Sequence, residues 1–143
     1  MFQRILVAVD SGPAHHSAVR LAGELAKLAG SEVRVLHVIA SAATLATVVP
    51  LEDDAEGRAV LDEAVAALGD LDVKADGVLV RGLTTQVATT IAESAAEFGA
   101  DLIVLSPHHR GVVEALFTPR VSDAVAHTSR TPVLLAPEDE HLA

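Results

Sequence analysis

A chain of 143 residues, half of them apolar, with no cysteine and a formal charge of −10, can build one sizeable core and excludes disulfides, thiol chemistry and cysteine-ligated zinc. Its acidity, with three phenylalanines as the only aromatic residues, argues against nucleic acid and anionic membranes, which call for a basic face and stacking rings. No apolar run approaches a membrane span, and Met1-Phe2-Gln3-Arg4 leads directly into a strand-like run rather than a signal peptide. The expectation is a soluble cytoplasmic protein with no membrane insertion, one domain over residues 1–143.

Ile5-Leu6-Val7-Ala8-Val9 is a continuous apolar run ending at Asp10, the pattern of a strand buried on both faces. Ser11-Gly12-Pro13 stops it and opens a helix, in which Val19, Ala22, Leu25 and Ala26 recur at helical spacing up to a stop at Gly30. Val33 to Ile39 reads as the second strand. Ser41 to Pro50 shows no period and reads as a loop. A helix follows from about Asp53 to Leu68, with an acidic start that suits the helix dipole. Val73 to Val80 reads as a third strand, broken by the turn-like Asp76-Gly77. Thr84 or Thr85 caps a third helix that ends at Phe98-Gly99. Asp101 to Ser106 is a fourth strand, Pro107 to Pro119 is irregular, Val121 to about His127 is a short helix, and Pro132 to Ala136 is the last strand.

Strict alternation of strands and helices predicts an α/β fold, a parallel sheet covered on both faces. Ligands in such folds lie beyond the carboxyl ends of the strands, where the strand order reverses. Asp10 to His16, His37 to Ala43 and Ser106 to Ser122 reach that edge.

Several segments together resemble the universal stress protein family: Ile5 to Ser11, Val35-Leu36-His37-Val38, Phe98-Gly99-Ala100-Asp101-Leu102-Ile103-Val104-Leu105, and Val121 to His127 followed by Pro132-Val133-Leu134-Leu135. The resemblance runs from Ile5 to about Ala136. It implies a Rossmann-like five-stranded parallel sheet in the order 3-2-1-4-5 and a homodimer built on the last strand, with Val133, Leu134 and Leu135 at the interface. A free sheet edge invites a partner on physical grounds as well; the alternative is a monomer whose acidic tail covers that edge.

ATP-binding members of that family carry G-x2-G-x9-G-[S/T] after the fourth strand, where glycines let backbone N–H groups approach phosphates. Laid on this chain, the motif falls on Ser106, His109, Pro119 and Arg120, and all four depart from it. Pro119 is the gravest change, because proline lacks the N–H and fixes φ. Other positions match: Asp10 the strand-end acid near adenosine, Val38 a residue near adenine. Each also has a structural reading, a turn cap for Asp10 and core packing for Val38, which is placed first. Arg110 and Arg120 could replace the lost backbone donors with guanidinium forks, aided by His108 and His109. If a nucleotide binds, ATP or AMP with Mg, the candidate contacts are Asp10, Ser11, Val38, Ser106, His109, Arg110 and the helix start Arg120, Val121 and Ser122.

Seven histidines raise a metal site or a pH sensor, with His15-His16 and His108-His109 near one edge. Adjacent helical residues point about 100° apart, and no pair has zinc-like i, i+4 spacing, so no metal is predicted. His37 reads as a satisfied core histidine, His127 as a helix C-terminal charge. Three functions follow in order: a non-enzymatic stress-response protein acting through dimerisation or a protein partner, with weak or absent ATP binding; a module sensing ATP or AMP through Arg110 and Arg120; and, last, an enzyme related to PP-loop adenylating proteins, whose S-G-G-x-D-S cradle is broken here at Pro13 and His15.

Overall fold

The computed structural model describes residues 1–10, 15–43, 45–50, 53–106 and 119–137, with the backbone alone at 15 and 119–122. β1 (Arg4–Val9), α1 (His15–Ala29), β2 (Glu32–Ala43), β3 (Val48–Pro50), α2 (Asp54–Asp70), β4 (Ala75–Leu83), α3 (Val87–Phe98), β5 (Leu102–Leu105), α4 (Pro119–Thr128) and β6 (Val133–Leu135) follow in order. The parallel strands stand in the order β4-β2-β1-β5-β6, which is the expected 3-2-1-4-5 arrangement. A sixth strand is added to it: β3 runs antiparallel to β2, with Ala42 opposite Val49.

The alternating side chains of β1 feed two cores. Ile5, Val7 and Val9 pack with Ala18, Ala22, Leu61 and Leu68 of α1 and α2. Leu6 and Ala8 pack with Val87, Ile91 and Ala95 of α3 and Val125 of α4. Both helix stops fall where glycine was read: Gly30 at φ +70° and Gly99 at φ +73°, left-handed values that cost a side chain with a Cβ.

Four local expectations are corrected. Ser41 to Pro50 is not a loop; β2 continues to Ala43 and returns as β3, whose three residues are all exposed and therefore show no burial period. Asp76-Gly77 does not break the third strand. Asp76 stands opposite Arg34 of β2 and takes two hydrogen bonds from its guanidinium, both 2.9 Å, and Gly77 lies under α2, where a Cβ would sit 3.3 Å from Val65. Thr84 and Thr85 do not cap α3. They form a short 3-10 turn, Thr84–Gln86, and no side chain caps the helix. α4 opens at Pro119, two residues before Val121. The cap of α2 is Asp53, whose carboxylate accepts the Glu56 N–H at 2.8 Å.

Candidate functional site at the carboxyl edge of the sheet

β1 and β5 are neighbours in register, Val7 opposite Val104, so the residues that leave them emerge side by side. These are Asp10, 2% exposed, and Ser106, 6% exposed. β1 lies between β2 and β5, which makes this edge the point where crossovers leave in opposite directions. Val38 is buried in β2, one residue past the last β1–β2 pair, Val9 opposite His37. The structure therefore gathers Asp10, Val38 and Ser106 at one edge, as the sequence indicated. α4 precedes the parallel strand β6, so its first turn, with Arg120, Val121 and Ser122, opens at the same edge. Ser11, His109 and Arg110 lie outside the described residues.

The sequence reading missed the role of one side chain. His37 is fully buried, and its Nδ1–H donates to the carbonyl of Val9 at 2.9 Å. This bond fixes the end of β1 immediately before Asp10. Its only sequence signal is the cross-strand register, which pairs Val9 with His37. The core-histidine reading of His37 holds.

The added strand shapes the edge as well. Ser41 pairs with Leu83 of β4 on one flank and with Pro50 of β3 on the other. β3 thus occupies, further along β2, the flank that β1 leaves at His37. Val38, Ile39 and Ala40 lie between, with no strand opposite them on that flank among the described residues. The Glu32 N–H donates to Gln3 of β1 at 3.0 Å. Alternation along the strand therefore aims the backbone groups of Val38 and Ala40 into this slot.

The two other histidines whose side chains are described, His16 and His127, lie on different helices and meet different acids. His16 Nε2 meets Glu63 of α2 at 3.0 Å, and His127 meets Asp123 in its own helix at 3.3 Å, at its C-terminal end as expected. Among the described residues no group of three histidines or acids could hold a metal, and no helix is long and apolar enough to cross a membrane.

The sequence profile of the universal stress protein family matches residues 1–137. This chain belongs to the universal stress protein family. A universal stress protein of Mycolicibacterium smegmatis is 30% identical over 92% of the chain, which spans 44% of that protein's length. Universal stress protein YxiE of Bacillus subtilis is 27% identical, with 94% of the chain and 99% of the relative covered. Among solved structures, a universal stress protein family member from Burkholderia pseudomallei superposes with a TM-score of 0.72 at 28% identity, covering 95% and 96% of the two chains. Two more distant structures share the fold. One is from Archaeoglobus fulgidus in complex with dAMP, at TM-score 0.70, 22% identity and coverage of 94% and 98%. The other is from Arabidopsis thaliana with AMP bound, at TM-score 0.70, 16% identity and coverage of 98% and 94%.

Proposed function

We propose that this universal stress protein is a non-enzymatic, cytoplasmic regulator whose ATP cradle has been dismantled. ATP binds it weakly or not at all, and it acts through self-association or a protein partner. One observation carries the reading: Pro119 is the first residue of α4. The third glycine of the family motif falls on it, at the helix start whose free N–H groups would otherwise cradle phosphate. Proline suits a helix start because it has no N–H to leave unpaired, and for the same reason it offers a phosphate nothing. Ser106, His109 and Arg120 replace the other motif residues, and the first of them is buried. Self-association is supported by β6, which pairs only with β5 among the described residues and leaves Leu135 46% exposed beside the half-buried Val133 and Leu134.

A second reading has its own support, the binding of an adenine mononucleotide rather than ATP. Two structures similar to this chain hold dAMP or AMP. The slot over Val38–Ala40 offers the Val38 carbonyl and the Ala40 N–H side by side, an acceptor and a donor spaced along one strand edge. The amino group and ring nitrogen of a base have the complementary pattern. One phosphate needs fewer donors than three, and Arg110 and Arg120 could supply them.

The test is to denature freshly purified protein, assay the supernatant for nucleotide, and titrate the ligand-free protein calorimetrically with Mg-ATP and with AMP. No nucleotide and no heat supports the first reading. Micromolar AMP binding without ATP binding supports the second. Micromolar ATP binding refutes the first.

A further inference from the structure

α1 and α2 pack on the same face of the sheet, side by side, and two contacts between them show that they run parallel. His16 of α1 meets Glu63 of α2 at 3.0 Å. About two turns further on the helices touch again: a Cβ on Gly23 would stand 2.7 Å from Leu71 Cδ1 and 3.0 Å from Leu68 Cδ2. Between those contacts α2 offers only the methyl groups of Ala64 and Ala67 to the space beside α1. A cleft of about 270 Å³ is left open there, close to the lower end of the range of about 300–1,000 Å³ for small-molecule sites. Asp10, Val38 and Ser106 do not line it, so it is separate from the carboxyl edge of the sheet.

The floor of the cleft is apolar. Val19 and Ala64 are buried in it, and the half-buried Leu71 closes its far end. Charge sits only on the rim. His16 and Glu63 are engaged with each other at the near end. Arg20 stands level with Ala67, by the spacing of the two interhelical contacts, and Asp70 stands about one turn beyond.

Asp70 decides the chemistry of an occupant. It is exposed, and its carboxylate is in no hydrogen bond or ion pair among the described residues. It is the last residue of α2, whose final turn carries no basic residue. A helix C-terminus is itself negative, so the carboxylate and the dipole together favour a cation at that end of the cleft. The formal charge of −10 draws cations to the protein as a whole. Arg20 already has a partner, which leaves Asp70 as the charge open to an occupant. Beyond Asp70 the floor is apolar, so a second charge on the occupant would lose its water without gaining a partner. One cationic group on an apolar body fits these constraints, and a polyamine does not. The volume suits on the order of ten non-hydrogen atoms, at about 30 Å³ each.

We propose that the cleft between α1 and α2 binds a small organic monocation, an alkyl- or aryl-substituted amine, with its ammonium group at Asp70 and its apolar body over Val19, Ala64 and Ala67. The site shares no residue with the sheet edge, so it stands whether or not a nucleotide binds there.

Phenethylamine, phenethyl alcohol and phenylacetate probe the cleft with the same ring and three charge states. Each is titrated into the full chain and followed by amide chemical shifts. The amine should saturate with a Kd below about 1 mM and move the amides of Val19, Ala64, Ala67 and Leu71. The alcohol and the acid should bind about tenfold more weakly or worse. Asp70→Asn should bring the amine down to the affinity of the alcohol. It should not lower the urea midpoint, because it takes a negative charge from a negative helix end. Ala67→Leu should abolish binding of the amine by filling the cleft, and the position is exposed, so the fold tolerates it. Three results would each overturn the proposal: no saturable shift at those four amides by about 5 mM amine, equal affinity for the alcohol, or binding that survives Ala67→Leu.

Discussion

Two glycines of α2 should respond to alanine with opposite signs. A Cβ on Gly57 would lie 3.0 Å from Ile39 Cδ1, 3.1 Å from Leu79 Cδ1 and 3.2 Å from His37 Cδ2. Ile39 and His37 are fully buried, and the His37 ring is held by its bond to the Val9 carbonyl, so the three neighbours cannot all retreat. Helix propensity favours alanine by about 1 kcal/mol, and overpacking costs about 1–3 kcal/mol. The expected balance for Gly57→Ala is a loss of about 1 kcal/mol. A Cβ on Gly69 meets nothing within 4 Å, so Gly69→Ala should gain about 0.5–1 kcal/mol from backbone entropy alone. Urea denaturation at matched m-values reads both changes, and the two midpoints should move apart. Stabilisation by Gly57→Ala equal to that by Gly69→Ala would refute the close approach of α2 to β2 and β4.

Ile91→Ala removes a fully buried side chain from the core between α3 and the sheet and should cost about 2–5 kcal/mol in chemical denaturation. Gly99→Ala forces a side chain into φ +73° with its Cβ 3.1 Å from Arg4 Nη1 and should cost about 1–2 kcal/mol, read as a lower Tm. The hydrogen bond from Arg34 holds the Asp76 carboxyl below the usual carboxylate range. That contribution to stability is present above the unfolded-state value of about 3.9 and is lost as pH falls through the folded value. Asp76→Asn should therefore flatten the acid limb of the stability curve. With the Asp76 side chain 57% exposed the effect is small, and an unchanged limb in urea midpoints taken between about pH 3 and 7 would contradict it.

The strands buried on both faces were legible in the sequence because burial writes a continuous apolar run, as in Ile5 to Val9 and Leu102 to Leu105. β3 was not, because Val48, Val49 and Pro50 are exposed and pair only through their backbone. Asp76-Gly77 misled for the opposite reason. Its turn-like composition is local, while Arg34 and Val65, which explain each residue, are distant in sequence. At the site, Asp10 and Ser106 were legible because they end apolar runs whose strands are neighbours. The bond from His37 to Val9 was not, since it depends on a register that no local pattern encodes. The first turn of α4 was two residues off because Pro119 reads equally well as the end of a loop and as the start of a helix.

The most direct test of the lost ATP cradle is calorimetric titration of Mg-ATP into this protein and into a variant that restores the family motif, Ser106→Gly, His109→Gly, Pro119→Gly and Arg120→Ser. The account predicts a Kd weaker than about 100 µM for the protein as it stands and micromolar binding for the restored variant. Micromolar binding by the unaltered protein, or no gain on restoring the motif, would contradict it.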